Sequence, residues 1–132
     1  MAGNINPKIA VLLPVFKGVK YLSKQIDSII KQKKVDLHIY LSVDPCADGS
    51  IEYVNRIKKK NKNIKVLKHS KLFRTPTKHF FFLISQINEK DYDYISLSDQ
   101  DDIWLDDKIF KSIKLLKAKK VDCYSGSVIA FN

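Results

Sequence analysis

Apolar residues along this chain recur at a period that switches repeatedly between two and about 3.6, the mark of strands alternating with helices. Ile9 to Val15 reads as a continuous apolar strand, and Tyr21, Leu22, Ile26, Ile29 and Ile30 then share one face of a helix. That helix ends near Lys31 to Lys34, where cations complement the helix dipole. Leu37 to Val43 alternates as a second strand, and Asp48-Gly49-Ser50 supplies capping residues for a helix carrying Ile51, Val54 and Ile57. Ile64 to Leu67 is a short third strand. After a polar loop holding Arg74-Thr75-Pro76-Thr77, a helix from about Lys78 to Asn88 is expected to pack Phe81, Phe82, Ile84 and Ile87. Tyr94 to Ser98 forms the next strand, Asp106 caps a helix running through Lys117 with Ile109, Ile113 and Leu116 inward, and Val121 to Phe131 returns to strand character.

Strands and helices in strict alternation predict an α/β fold, an open, mostly parallel sheet flanked by helices. The 132 residues are expected to form a single domain, with residues 1–7 as a flexible N-terminus. Ligands of such sheets bind outside the carboxyl ends of the strands. Three polar clusters fall there: Pro14 to Gly18, Asp44 to Asp48, and Asp99 to Asp102. Their convergence would make a site.

The last of these carries the most chemistry. Asp99, Asp101 and Asp102 follow an apolar strand within four positions, and carboxylates so close repel unless a cation neutralises them. Mg²⁺ and Mn²⁺ favour carboxylate oxygens together with water and phosphate oxygens, so the cluster suggests a metal held against a phosphorylated ligand. A solvated acidic turn is the plain alternative. Asp44 leaves an apolar strand ahead of Pro45, where its carboxylate would accept hydrogen bonds from a base imide or a ribose hydroxyl, or cap a turn. Phe16 would stack on a heterocycle or fill the core.

Composition bounds the partners. Forty-five per cent hydrophobic and 29% charged residues describe an ordinary globular chain, and no apolar run approaches the roughly 20 residues that span a bilayer. The net charge of +10 invites a polyanion, but eight of the fourteen Asp and Glu residues lie between Glu89 and Asp107, which leaves the remainder still more basic. Lys58, Lys59, Lys60, Lys62, Lys65 and Lys68 read as a solvated helix end and loop with a plausible second use against an anionic membrane surface. No interleaving of aromatic and basic residues supports nucleic-acid recognition. Cys46 and Cys123 form neither a disulfide framework nor a zinc motif, which points to the cytoplasm, and His38, His69 and His79 have no partner at ligand spacing, so they read as structural or surface residues.

With these residues in hand, the chain resembles the N-terminal half of a family 2 glycosyltransferase of the GT-A fold, Rossmann-like in its nucleotide-binding half. The matching pieces are Ile9 to Gly18, Tyr21-Leu22 with Gln25 to Ile29, Val43-Asp44, Asp48-Gly49-Ser50, Leu97 to Leu105, and Asp107-Lys108. Leu97 to Leu105 is especially similar to bacterial rhamnosyltransferases of capsule, O-antigen or cell-wall polysaccharide synthesis.

The resemblance implies inverting transfer of a sugar from a dTDP-, UDP- or GDP-sugar to a saccharide or lipid-linked acceptor, with dTDP-rhamnose the first donor to consider. It implies that Pro14 and Phe16 line the nucleotide pocket, Asp44 meets the base, Asp99 approaches ribose and metal, and Asp101 is the principal ligand of Mn²⁺ or Mg²⁺. Lys78 or Arg74 would help hold the diphosphate. The general base is expected beyond Asn132, as in a truncated domain whose exposed sheet edge would serve a homo-oligomer. A cytoplasmic enzyme, peripheral at the inner membrane face, follows from the same likeness. Where the family usually carries an acidic pair followed by Gly-Ser, this chain has Val43-Asp44-Pro45-Cys46-Ala47-Asp48, and Asp106 replaces the usual Pro before Asp107. A catalytically silent nucleotide-sugar-binding module is the alternative.

Other acidic motifs fit less well. An EF-hand loop starting at Asp99 would need an oxygen ligand and a glycine where Ile103 and Trp104 stand. A dehalogenase-type phosphatase carries its acidic motif near the start of the domain, and a nucleotidyltransferase should show a Gly-rich first loop.

Overall fold

A computed structural model describes residues 5–131. Four parallel strands, β1 (Lys8–Val15), β2 (Asp36–Val43), β3 (Ile64–Val66) and β4 (Tyr94–Leu97), lie in the order β3-β2-β1-β4. Between them run α1 (Val19–Ile30), α2 (Ser50–Lys60) and α3 (Pro76–Ser85), and α4 (Lys108–Lys119) follows β4. The open parallel sheet with flanking helices is as the sequence predicts. Of the segment 1–7, residues 1–4 lie outside the described residues, while the Pro7 carbonyl accepts from the Asp36 N–H at 2.9 Å.

β1 is central, buried on both faces, and therefore apolar throughout. Its odd positions Ile9, Val11, Leu13 and Val15 join Leu37, Ile39 and Leu41 of β2 under α1, α2 and α4, in a core closed by Leu22, Ile26, Ile29, Val54, Trp104, Ile109 and Ile113. Its even positions Ala10 and Leu12 pack with Tyr40 and Leu83 beneath α3.

Pro14 sits within this central strand for a reason visible in the register. The carbonyls of Pro7 and Val15 accept bonds from β2 residues, and those of Lys8 and Leu12 from the β4 side. The ring nitrogen of Pro14 therefore faces β4, whose pairing with β1 ends at Leu12↔Leu97 while β2 continues to Val15↔Val43. Lacking an N–H, Pro14 cannot extend the β1–β4 ladder, and the two chains separate at their carboxyl ends. Strand order reverses at this crevice, the usual ligand position in such sheets.

Several expectations need correction. Val121 to Phe131 forms no strand: it is irregular and exposed, with Val128, Ile129 and Phe131 at 78%, 86% and 69%, because no described strand pairs with it. α3 begins and ends earlier than expected, since Thr75 caps it by accepting the Lys78 N–H and Pro76 opens it, and its buried residues are His79 and Leu83. Phe81 and Ile84 face outward. α1 is rotated from the expected face, leaving Tyr21 and Ile30 about half exposed and turning Gln25 and Ser28 inward. Asp107, not Asp106, is the N-cap residue of α4, and Asp106 instead pairs with Lys33 at 3.3 Å.

Candidate functional site

The crevice between β1 and β4 is held in shape by amides. Gln100 folds back over the first loop, its Oε1 accepting the Phe16 N–H and its Nε2 donating to the Phe16 carbonyl, both at 2.9 Å. This two-bond clamp ties the acidic loop to the end of β1. Gly18 lies under it: a Cβ there would stand 2.4 Å from Gln100 Oε1 and 2.9 Å from Cδ, so only glycine lets the side chain pass. Phe16 itself is 43% exposed beside the crevice, with Lys17 Nζ 5.2 Å from its ring centroid.

Polar residues on the buried side of α1 hold the rest of the acidic loop. Gln25, fully buried, donates from Nε2 to the Ser98 hydroxyl and, at 2.8 Å, to the Asp99 carbonyl. One turn on, Ser28 Oγ accepts the Trp104 N–H at 3.0 Å. Gln32, just past the helix end, donates to the Leu105 carbonyl at 2.6 Å and accepts the Ile109 N–H at 3.0 Å. Backbone groups from Asp99 to Ile109 thus find partners on one helix face, as buried loop backbone must.

That scaffold presents Asp99 and Asp101 as exposed carboxylates and Asp102 as a half-buried one. None of the three carboxylates takes a hydrogen bond or ion pair from the protein among the described residues. The Asp102 carboxyl is pushed above its ordinary pKa, first by burial, then by the negative charges of Asp99 and Asp101, against the pull of Lys108. Lys108 caps the cluster from α4, its Nζ 3.9 Å from the Trp104 ring centroid, and burial lowers its own pKa.

The second loop joins the first. Asp48 accepts from the Val19 N–H at 3.2 Å and from the Ser50 N–H and hydroxyl, while Ser50 Oγ accepts the Gly18 N–H at 3.1 Å. Burial would raise the Asp48 pKa, but the bonds from Ser50, Cys46 and Val19 outweigh it and hold it at about 2. Asp44 differs from expectation. Its carboxylate is not presented at an open edge but is 3% exposed, accepting from the backbone N–H groups of Phe73 (3.2 Å) and Arg74 (3.4 Å) in the β3–α3 loop.

Two histidines meet Asp44 there. His69 Nε2 and His79 Nδ1 stand 3.7 and 3.8 Å from its Oδ1, which corrects the reading of His69 and His79 as isolated. Sequence separations of 25 and 35 residues from Asp44 concealed the cluster. His79 also bonds the Ser42 hydroxyl through Nε2 and stacks on Phe73 at 4.9 Å. Burial holds the His79 imidazole neutral, at about 4, although Asp44 pulls its pKa upward and His69 adds to the lowering.

Of the residues expected at the site, Pro14 is buried in β1 and Phe16 is exposed just after it, and Gln100 ties the Phe16 backbone to the loop that carries Asp99 and Asp101. Lys78, exposed in the first turn of α3, and Arg74, with φ 65°, lie at the β3–α3 loop that Asp44 secures. Gln25, Ser28, Gln32 and Gln100 were not singled out as functional. The one signal for the first three was their i, i+3, i+7 spacing on a helix that already had an apolar stripe.

Three outcomes follow. Gly18→Ala should displace Gln100 and accelerate amide hydrogen exchange across residues 98–104 at least tenfold while leaving the centre of β1 protected. Gln25→Leu, which strips the Ser98 and Asp99 partners, should cost about 1–3 kcal/mol in urea denaturation. Because the folded His79 pKa lies below its unfolded value of 6.5, the unfolded chain binds a proton that the folded chain refuses. This contribution to stability is complete above pH 6.5 and declines as pH falls toward 4. Urea midpoints in chelating buffer should drop across that window, and His79→Gln should flatten the decline.

Comparison with known proteins accords with this geometry. The family model described as glycosyl transferase family 2 matches residues 10–132. The chain is 35% identical over 120 residues to the dTDP-rhamnosyl transferase RfbG of Shigella flexneri, covering 90% of this chain and 42% of that protein. To an uncharacterized glycosyltransferase of Haemophilus influenzae it is 31% identical over 112 residues, 83% of this chain and 42% of the relative. The chain therefore spans less than half the length of these relatives. Among solved structures, S. aureus TarS 1–349 in complex with UDP-GlcNAc superposes with a TM-score of 0.71 at 18% identity, covering 84% of this chain and 31% of that one. The mannosyltransferase PcManGT of Pyrobaculum calidifontis, in complex with GDP-Man and Mn²⁺, superposes with 0.73 at 15%, covering 85% and 33%. These likenesses establish the GT-A-like fold, and the family model and the sequence relatives establish the membership: this chain belongs to glycosyl transferase family 2.

Proposed function

We propose that this chain carries the donor-nucleotide and metal site of an enzyme that transfers a sugar from a nucleotide diphosphate sugar to a saccharide or lipid-linked acceptor in cell-surface polysaccharide synthesis. The observation that supports the reading is the Gln100 clamp, which ties the loop carrying the exposed Asp99 and Asp101 to the backbone of the exposed Phe16 at the point where strand order reverses. Likeness to a dTDP-rhamnosyl transferase favours dTDP-rhamnose as donor, ahead of UDP- and GDP-sugars.

The carboxylates suit a hard divalent cation. Asp99 and Asp101 offer oxygen atoms without hydrogen-bond or ion-pair partners among the described residues, and their charges add to burial in raising the Asp102 pKa. Asp101, with Asp99, would hold Mn²⁺ or Mg²⁺. When bound, such a cation supplies positive charge against the diphosphate as it leaves, which lowers the barrier where the charge develops. Phe16 offers a ring face to the base, and Pro14 keeps the crevice open by ending the β1–β4 ladder. Asp44 acts on the base side of the pocket through the Phe73–Arg74 backbone it fixes. Lys78 and Arg74 lie on the side from which cations reach a diphosphate. The general base and the acceptor pocket are assigned to the longer protein of which relatives of this family are examples.

No helix among the described residues is long and apolar enough to cross a membrane. Work in the cytoplasm accords with the two unpaired cysteines. Contact with an anionic membrane would fall to the lysines from the end of α2 to the loop after β3, of which Lys65, in β3, is already engaged with the Tyr40 hydroxyl at 3.1 Å.

Calorimetry with dTDP, UDP and GDP, with and without Mn²⁺, tests the reading. The expected result is dTDP binding that Mn²⁺ strengthens, weakened at least tenfold by Asp101→Asn and several-fold by Phe16→Ala. Failure of all three nucleotides to bind, or an Asp101→Asn variant indistinguishable from the parent, would contradict it. Binding without turnover of dTDP-rhamnose would identify the silent binding module instead.

A further inference from the structure

We propose that Asp44, His69 and His79 form a second cation site, distinct from the acidic loop, that takes Zn²⁺ or a similar borderline divalent ion through one carboxylate oxygen and two imidazole nitrogens. The proposal stands whether or not the crevice binds a nucleotide.

The protonation pattern is the first argument. His69 Nδ1 lies 2.7 Å from the Lys71 carbonyl, which can only accept, so in the neutral ring, the form that binds a metal, Nδ1 carries the proton and Nε2 offers its lone pair. That Nε2 is buried without any hydrogen-bond partner, in a side chain only 7% exposed, and it points at Asp44 Oδ1 across 3.7 Å. In the neutral ring that lone pair faces a carboxylate, which is repulsive, and an unpartnered buried nitrogen requires an explanation. A cation between the two converts both into ligands.

The second argument is the way the outer atoms are tied. His79 is anchored through Nε2 to the Ser42 hydroxyl, so its inner nitrogen, Nδ1, faces Asp44 at 3.8 Å. Each imidazole thus uses its far nitrogen for an oxygen partner and turns its near nitrogen to the carboxylate, the outer-shell arrangement that orients metal-bound histidines. The candidate ligand atoms of the three residues all lie within 4.8 Å of one another. Ligands about 2.0–2.1 Å from a tetrahedral zinc stand about 3.4 Å apart, so only small rotations are needed to close the site. Two imidazoles and one carboxylate match zinc better than Mg²⁺, which prefers oxygen alone.

Position suggests the consequence. Asp44 directly follows β2, His69 belongs to the β3–α3 loop and His79 to α3, so one ion would staple all three. Phe73 and Phe82 pack against His69 with centroids at 4.6 and 5.2 Å, which shields the site laterally and leaves the fourth position for water or an incoming ligand atom.

The test is competition for Zn²⁺ between the 132-residue chain and a chromophoric chelator, with Co²⁺ as a spectroscopic substitute. The expected result is one equivalent of Zn²⁺ bound, visible Co²⁺ bands of four-coordinate intensity, and at least a thirtyfold loss of affinity in His69→Phe, whose ring suits the Phe73 and Phe82 surroundings. An Asp99→Asn and Asp101→Asn double variant should keep the full Zn²⁺ affinity, which separates this site from the acidic loop. Absence of stoichiometric Zn²⁺ binding, an unaltered His69→Phe, or loss of binding in the double variant would overturn the proposal. Should His69→Phe not fold by circular dichroism, proton NMR of the Co²⁺-loaded parent decides. Two hyperfine-shifted exchangeable imidazole protons are expected, from His69 Nδ1 and His79 Nε2, and their absence would refute the site.

Discussion

The structure depends on a polar seam along the inner side of α1. Gln25 and Ser28 of α1, and Gln32 just past its end, are buried at 0%, 7% and 8% exposure, the first two in positions where a helix on a parallel sheet would ordinarily carry leucine. Gln25 and Gln32 donate to the irregular chain between β4 and α4, and Ser28 accepts from it. Burying an amide without partners costs about 1–3 kcal/mol, while each satisfied bond returns only about 0.5–1.5, so the seam is worth having only if the loop it grips must be held in one shape. It specifies conformation more than it adds stability.

What is held is a set of like charges. Three carboxylates within four residues repel, and a free loop would relieve that repulsion by spreading. Here the backbone is fixed from below by α1 and from β1 by the Gln100 clamp on Phe16, and burial, with the charges of Asp99 and Asp101 added to it, raises the Asp102 pKa. Pre-organised repulsion of this kind is relieved when a cation arrives, and it reduces the entropy lost on forming the site. Pro14 and Gly18 are the two backbone devices that make room: one lacks the N–H that would zip β1 to β4, and the other lacks the side chain that would block Gln100.

The sheet was legible because buried parallel strands and amphipathic helices leave periodic traces, and because the Asp cluster sits immediately after such a strand. What escaped has a common cause. The inward turn of Gln25 and Ser28 runs against a hydrophobicity pattern that places Tyr21 and Ile30 inside just as well, and only the tertiary demand of the loop decides between them. The Asp44, His69 and His79 cluster is assembled from three elements, so no local spacing announces it. The apolar tail from Val121 to Phe131 has strand composition without a strand, since pairing is a property of two segments and composition of one.

Paramagnetic broadening of backbone amide signals by substoichiometric Mn²⁺, recorded with saturating dTDP, tests the central claim most directly. If the seam and the clamp exist to present a cation site, broadening should centre on Asp99 to Asp102 and spread first across the crevice to Phe16 and Gly18. Broadening centred instead on Glu89 to Asp93, or scattered evenly over the acidic surface, would mean that α1 holds this loop for some purpose other than binding a metal.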